Sequence, residues 1–378
     1  MAHFSHHLLT ALPVPLLPMI RNHFTLSYAQ SGLLISAFAL TYGISQLPGG
    51  WIASRTGYRI LIAISISGVA LNGLLVGLSQ TYTMMVVFLV LMGIAGGGYH
   101  PAVPSLISMS VEPRKLGRSL GLHVIGGSTS YFLAPLLAAA IASSWGWRGP
   151  FIGLGVPTVI FGIVVYLFLG HQIKREKTKR NLTENQTQPL SIPGNLRSLV
   201  IFIFLSTFTQ AVIFSTITFI PLYMVDQFGI NEKAAAAFLA IPYSAGLWAS
   251  PLGGYFSDRL GSVRMVLAVC FISGPIIYLL NLVNYGLSLY VILTALGIAI
   301  YTRMPASEAY IVTQTSKHHR STVLGIYFFS GMEGSGVLAP VMGFLIDRFG
   351  FYTSFTTAGA VLFVTTLVCS LWLKRSPD

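Results

Sequence analysis

The chain has 378 residues, of which 54% are hydrophobic and 8% are charged, and its formal net charge is +12. About a quarter of the residues of an ordinary soluble domain are charged, so this composition excludes a water-soluble globular protein. It equally excludes a disordered chain, which would be poor in apolar residues.

The apolar residues fall in runs of about 20, which is the length of a helix that crosses the ~30 Å hydrocarbon core of a bilayer. The runs do not alternate between apolar and polar positions as the strands of a membrane β-barrel do. We therefore predict an all-α polytopic membrane protein with twelve transmembrane helices. In chain order, the predicted spans are 4–20, 30–53, 60–79, 83–109, 119–142, 150–170, 199–224, 234–256, 263–283, 287–312, 322–345 and 352–373.

The longest polar interval, residues 171–198, divides the predicted spans into two groups of six. It contains several Lys and Arg residues, then a stretch of Thr, Asn and Gln with two prolines. This composition is typical of a hydrated linker. We predict an N-terminal six-helix bundle at 1–170, a cytoplasmic linker at 171–198 and a C-terminal six-helix bundle at 199–378.

The basic residues indicate the orientation, because Lys and Arg gather in cytoplasmic loops. Of the 22 basic residues, 17 lie in loops on one side of the predicted spans, which is also the side of both termini. We predict an integral membrane protein of a prokaryotic cytoplasmic (inner) membrane, with both termini cytoplasmic. The positive charge then sets the orientation of the chain in the membrane, and we expect a monomer that binds no nucleic acid.

One constant offset of 204 residues superimposes separate features of the two halves. It relates Gly49, Gly50, Arg55 and Gly57 to Gly253, Gly254, Arg259 and Gly261, and it persists to Gly146 and Gly350. Because each half has an even number of spans, the halves enter the membrane in the same direction. Such parallel repeats are the arrangement expected for alternating access around a site at the membrane midplane.

The loop after span 2 runs from Gly50 to Arg59 through Arg55 and Gly57, and the loop after span 8 repeats it. These loops resemble the signature of the major facilitator superfamily of secondary transporters: Gly, three residues, Asp, Arg, any residue, Gly, any residue, Arg. In the first loop Ser54 replaces the Asp, and in the second Arg264 comes one residue late. Ala134-Pro135 and Ala339-Pro340 resemble the family's Gly-Pro bends. The N-terminal string from His3 to Pro18 and the Tyr99-His100-Pro101 element are similar to fosmidomycin-resistance-type exporters.

This resemblance implies a conformational latch at the cytoplasmic side. Asp258 can accept hydrogen bonds from a neighbouring helix N-terminus and from Arg, and so hold the two halves closed on the inside. Ser54 lacks this charge, which leaves open whether the first half makes the same latch. The alternative is that both loops are only basic turns that set the topology. The predicted latch residues are Gly50, Arg55, Gly57, Arg59, Gly254, Asp258, Arg259 and Gly261.

Ionisable residues inside a span are costly, so each is a candidate for function. Glu333 lies midway along span 11, where it could couple transport to protons, bind substrate, or form part of a packed helix interface. Glu308 in span 10 could serve transport or neutralise Arg303. Arg303 could bind an anionic group, with His100 and Tyr99 at nearly the same depth in the other half; a structural pair of Arg303 with Glu308 or Glu333 is the alternative.

Three histidines near the N-terminus, His3, His6 and His7, have helical spacing that could in principle hold a metal. No acidic or Cys ligand is nearby, so we predict no metal site and place them at the cytoplasmic mouth of span 1, where His7 could also line the cavity. Gln46 and Gln210 are hydrogen-bonding candidates that could equally join helices. We expect no cofactor and no catalytic residue.

The predicted function is secondary transport of a small organic solute by alternating access, coupled to protons, with export favoured over uptake. The alternatives are a sensor of the same fold that does not transport, or a proton-symport importer of an organic anion. The sequence has no GxxxxGK[ST] loop for nucleotide phosphates, which disfavours direct coupling to ATP. It has no HExxH or GxSxG motif, so we predict no enzyme. The predicted partners are the solute, protons and the lipid bilayer.

Overall fold

A computed structural model describes residues 1–111, 116–176, 196–315 and 320–373 of the chain. Within these ranges there are helices and no β-strands. The helices are α1 (Ala2–Thr10), α2 (Leu17–Phe24), α3 (Tyr28–Thr56), α4 (Tyr58–Leu78), α5 (Tyr82–Gly96), α6 (Tyr99–Ser110), α7 (Leu116–Trp145), α8 (Arg148–Glu176), α9 (Leu196–Phe228), α10 (Glu232–Ala237), α11 (Ala240–Ser244), a 3₁₀ turn (Ala245–Leu247), α12 (Ala249–Leu260), α13 (Ser262–Leu279), α14 (Leu287–Gln314) and α15 (Arg320–Leu373).

Among the described residues, eight helices are long and apolar enough to cross a membrane, or nine if the bent pair Glu232–Leu247 and Ala249–Leu260 is one span. The last, α15, contains Gly350 in a non-helical conformation, which separates the two spans predicted at 322–345 and 352–373. The predicted all-α membrane fold is confirmed. The count of twelve stays a prediction, because the regions predicted as spans 1 and 2 are helical but are not among these eight or nine.

The first predicted span, 4–20, is not one helix. Its residues form α1 and α2, and residues 11–16 between them are turns. Pro13 and Pro15 explain the break, because proline lacks the backbone N–H that a helix interior needs and its ring clashes with the preceding turn. The predicted span 234–256 is also divided, with a bend of 44°. Pro251 lies just after that bend; it has no backbone N–H to bond the carbonyl of Leu247 four residues earlier, and its ring would clash with that carbonyl.

The 204-residue repeat is visible in the backbone. Gly57 has φ 88° and ψ 143°, and its repeat partner Gly261 has φ 88° and ψ 140°. Gly146 and Gly350, also 204 residues apart, have φ of 62° and 75°. L-amino acids rarely adopt positive φ, so glycine is required at these four turns. The two halves therefore use the same turn geometry at equivalent positions.

The repeat is also visible in helix packing. A side chain at Gly93 would strike the carbonyl of Phe38, and a side chain at Gly297 would strike the carbonyl of Pro242, which is the repeat partner of Phe38. The absence of a side chain lets the helix backbones approach closely, as is usual at helix interfaces within membranes. The same helix contact is thus built in both halves.

We name the two faces of the molecule by their turns: the linker face holds the turns at Gly57 and Gly261, and the far face holds the turns at Gly146 and Gly350. The halves meet where α3 packs along α15, α7 packs on α10 and α11, and α2 packs on α9 and α10. Contacts between α3 and α15 run from Tyr28 at the far face to the middle of α3. Further toward the linker face the side chains of α3 are largely exposed. The structure is therefore closed at the far face and open toward the linker face.

Candidate functional site

The N-terminal half contains a cluster of five histidines: His3, His6, His7, His100 and His123, which we call the histidine cluster. It forms because α6 and α7 bring His100 and His123 against α1. The side chains of His3, His6 and His7 are only 8%, 0% and 5% exposed. We predicted these three at the cytoplasmic mouth of span 1; in the structure neighbouring helices cover their side chains, so they are not open to solvent.

Hydrogen bonds fix part of the histidine cluster. Nδ1 of His3 donates to the backbone carbonyl of His123 at 2.7 Å, and Nε2 of His6 lies 3.0 Å from the hydroxyl of Tyr42. The Nε2 atoms of His7 and His100 are 3.2 Å apart. Within the described residues, Nε2 of His3 and Nδ1 of His6 are buried without a hydrogen-bond partner. The cluster therefore contains imidazole nitrogens with unused bonding capacity.

Two tyrosines extend the cluster. Tyr99 is fully buried, and its ring stacks on His6 with centroids 4.2 Å apart. The hydroxyl of Tyr131 lies 3.4 Å from Nδ1 of His7, and its ring is 5.5 Å from that of Tyr243 in the C-terminal half. The histidine cluster thus reaches the boundary between the halves through Tyr131.

Arg303 forms a second cluster in the C-terminal half, with Ser206, Gln210 and Tyr327; we call it the arginine cluster. Its guanidinium is fully buried and donates to the carbonyl of Ser206 at 2.8 Å, to the Ser206 hydroxyl, to the Tyr327 hydroxyl at 3.4 Å and to Oε1 of Gln210 at 3.0 Å. Among the described residues no carboxylate lies within 4.0 Å of it. The positive charge is therefore held by neutral oxygens, and no ion pair with Glu308 or Glu333 is formed.

The two clusters are related by the 204-residue repeat. The repeat register places His6, Tyr99 and His123 onto Gln210, Arg303 and Tyr327. In the N-terminal half, Tyr99 contacts both His6 and His123; in the C-terminal half, Arg303 contacts both Gln210 and Tyr327. Sequence reasoning missed His123, Ser206 and Tyr327. The register itself contained the signal for two of them, since it pairs His123 with Tyr327.

Glu333 lies between the two halves. Its carboxyl oxygen Oε1 is buried without a hydrogen-bond partner among the described residues, and it sits against Gly43 of α3, where even a Cβ atom would overlap with it. Glu308 is half-buried on α14. Gln46 is half-buried on α3 and belongs to neither cluster.

The predicted latch residues are not engaged in this conformation. The guanidinium of Arg55 lies over the ring of Trp51 at 4.1 Å, and that of Arg259 lies over Tyr255 at 4.5 Å. Asp258 is exposed and makes no ion pair within the described ranges. These charged groups therefore contact their own half or solvent.

For the other residues of the predicted latch, a role in holding the linker face closed stays a prediction. Arg59 donates from Nε to the carbonyl of Tyr166 at 2.6 Å and lies 3.8 Å over its ring, which ties α4 to α8 within the first half. Gly254 has open space around it. The environment of Gly50 and the side chain of Ser54 lie outside the described part of the chain. The role of this loop in closing the linker face is thus untested by this conformation.

Polar contacts between the halves close the far face. Arg21 donates to both carboxylate oxygens of Asp226, at 2.5 and 2.8 Å, and the hydroxyl of Tyr28 donates to the same carboxylate at 2.5 Å. Burial, reinforced by the hydrogen bond to Asp226, raises the pKa of Tyr28 to about 12. Asp347 accepts from the backbone N–H groups of Tyr28 and Ala29 at 2.9 and 2.8 Å, where a helix N-terminus favours negative charge.

The chain was compared with known proteins. The family model described as Major Facilitator Superfamily matches residues 1–302 and 203–378, two overlapping matches that together span the chain. The chain is 28% identical to the probable sulfoacetate transporter SauU of Cupriavidus necator, over 96% of this chain and 90% of that protein. It is 26% identical to the multidrug resistance protein MdtG of Enterobacter lignolyticus, over 97% of this chain and 89% of that protein.

Solved structures share the fold. An inward-facing, occupied structure of a bacterial homolog of the human lysosomal transporter Spinster has a TM-score of 0.79 at 16% identity, covering 98% of this chain and 94% of that one. A POT family transporter in complex with 5-aminolevulinic acid has a TM-score of 0.80 at 13% identity, with coverage of 99% and 95%.

Proposed function

Because this chain belongs to the Major Facilitator Superfamily, we propose that it exports a small organic solute in exchange for protons, by alternating access. Its relatives establish that it is a membrane transporter and not an enzyme. The direction of transport, the coupling to protons and the choice of solute are our proposal.

The position of Glu333 is the observation that carries the proposal. Oε1 of Glu333 is buried without a hydrogen-bond partner among the described residues, although the side chain as a whole is half-buried, so a protonated Glu333 is favoured while α3 and α15 are in contact. When the halves separate at Glu333, water can also reach Oε1, and the proton can leave more readily. Protonation and the packing of the two halves are then linked, which is what a proton-coupled cycle requires.

We place the linker face and both termini in the cytoplasm. The distribution of basic residues supports this orientation, since 17 of 22 lie in loops on that side. The conformation described above is then open to the cytoplasm, where an exporter takes up its solute. The similarity to multidrug resistance proteins also supports export.

Transport into proteoliposomes tests the proposal. We would measure proton movement with an internal pH indicator after adding a lipophilic cationic dye or sulfoacetate, with and without an imposed pH gradient. We expect Glu333→Gln to abolish solute-dependent proton movement while exchange of labelled solute for unlabelled solute persists. Glu184→Gln, in the predicted linker, is the matched control and should behave like the wild type. A wild-type protein that transports without any response to the gradient would contradict proton coupling.

Uptake of an organic anion is the second candidate function. The arginine cluster favours it, because a buried guanidinium without a carboxylate partner can receive an anionic group when its neutral contacts rearrange. The similarity to a sulfoacetate transporter points the same way. Arg303→Gln should then lose sulfoacetate uptake and keep dye transport; equal loss of both would contradict a role in anion recognition.

A further inference from the structure

The histidine cluster brings three imidazoles to one point. One ring nitrogen from each of His3, His7 and His100 lies within 4.8 Å of the other two. Two imidazoles that bind one tetrahedral zinc ion, at about 2.0–2.1 Å each, have nitrogens about 3.4 Å apart. The Nε2 atoms of His7 and His100 are 3.2 Å apart, so these two already have the spacing of a metal site. Only a small movement of the third ring is needed.

The hydrogen bonds leave suitable nitrogens free. His3 uses its Nδ1 hydrogen for the carbonyl of His123, so its Nε2 has a free lone pair, and this atom is buried without a partner among the described residues. Nδ1 of His7 faces the hydroxyls of Thr10 and Tyr131, each at 3.4 Å. Metal-binding histidines generally direct their other nitrogen to an oxygen of this kind, which orients the ring and fixes the tautomer.

The ligand set selects the class of ion. Among the described residues the site offers three imidazoles, with no carboxylate or thiolate in the group. Magnesium and calcium prefer oxygen ligands, whereas imidazole suits zinc and its neighbours in the transition series. Three protein ligands also leave a fourth position for water or another small ligand, as in open zinc sites.

We propose that His3, His7 and His100 bind one divalent transition-metal ion of the zinc class inside the N-terminal half. This goes against the sequence-based expectation of no metal site. That expectation considered only histidines on the first helix, whereas the third ligand comes from α6. The ion would join α1 to α6, and the site is independent of the proton-coupled function proposed for Glu333.

Zinc binding to the purified full-length protein tests the proposal. The protein would carry an affinity tag without histidines, and equilibrium dialysis against zinc would give stoichiometry and affinity. We expect one zinc per chain, with affinity reduced about 100-fold or more in His7→Gln and in His100→Gln. His23→Gln, which changes an exposed histidine at the far face, is the control and should bind like the wild type. No stoichiometric binding by the wild type, or equal binding by all four proteins, would overturn the proposal.

X-ray absorption of the zinc-loaded wild type gives a second readout that does not depend on folded variants. We expect three nitrogen scatterers at about 2.0 Å with the outer-shell pattern of imidazole rings. A shell of oxygen atoms without imidazole scattering would overturn the proposal even if zinc is retained.

Discussion

Glu333 packs against Gly43 where α15 meets α3 between the two halves. The carboxyl group occupies the space that a side chain at Gly43 would need, so any larger residue at that position would displace it. The pair therefore links helix packing to the one group on which the proposed proton coupling depends.

This contact gives a prediction at the scale of one residue. Gly43→Ala should destabilise the protein by about 1–3 kcal/mol, the usual cost of overpacking, and lower the melting temperature of the purified protein. Gly153→Ala is the control, because a Cβ at Gly153 meets open space. Adding Glu333→Ala should restore most of the stability that Gly43→Ala removes, since the two residues are in direct contact. If the decreases in melting temperature from Gly43→Ala and Glu333→Ala simply add in the double variant, the two side chains are not in contact.

His23 gives a prediction about pH. Its Nε2 accepts from both terminal nitrogens of Arg148 at 3.3 Å, and slight burial together with the Arg148 charge lowers its pKa. The folded protein therefore binds protons at His23 less readily than the unfolded chain. The stability from this contact is fully present above the unfolded pKa of about 6.5 and is lost as the pH falls from there through the lower pKa of the folded protein.

We expect His23→Gln to reduce the fall in melting temperature between pH 7.5 and pH 5.5. The control is His171→Gln, in the predicted linker, which should keep the wild-type pH dependence. If the pH dependence of His23→Gln is unchanged, the contact between His23 and Arg148 does not contribute to the pH dependence of stability.

At the scale of elements, the turns at Gly57 and Gly261 join α3 to α4 and α12 to α13 with the same backbone geometry. Alanine at either position must adopt φ near +88°, at a cost of about 1–3 kcal/mol. We predict lower melting temperatures for Gly57→Ala and Gly261→Ala, by similar amounts. Gly254→Ala, on the preceding helix with open space around it, should have no such effect. A lower melting temperature for Gly254→Ala, together with an unchanged one for Gly261→Ala, would contradict this explanation.

The sequence predicted the membrane helices because their length and apolar content are local properties. It did not predict that Pro13 and Pro15 divide the first span completely, because the predicted span followed hydropathy, which does not register a missing N–H. The repeat predicted that Tyr99 and Arg303 are equivalent. It could not show that His123 and Tyr327 complete their clusters, because that depends on how α7 and α15 rotate and pack against neighbouring helices.

At the scale of the whole molecule, the two halves are joined at the far face and separated toward the linker face. If transport requires the far face to open, then a covalent link there should stop it. The side chains of Asn22 and Glu232 are in contact across the halves; Asn22 is exposed and Glu232 is half-buried, so both positions can be reached for such a link. The native Cys270 and Cys369 are buried and should not compete for the reagent.

We predict that a short reducible dithiol cross-linker blocks transport in the double variant Asn22→Cys with Glu232→Cys, and that a reductant restores it. Each single variant should be unaffected by the same reagent. Continued transport by the cross-linked protein would show that the cycle does not need the far face to open at this point.

The far face is not symmetric, although the chain is repeated. Asp347 bonds two backbone N–H groups at the start of α3, whereas at its repeat position Ser143 offers one backbone carbonyl to the ammonium of Lys233, at 2.9 Å. At the far face, the contact between α7 and α10 therefore has weaker polar bonds than the contact between α3 and α15. If the weaker contact parts first when the far face opens, the stronger one, between α3 and α15, acts as the hinge. Glu333 then lies beside this hinge, where rotation of the halves would change the packing around Oε1 of its carboxyl group.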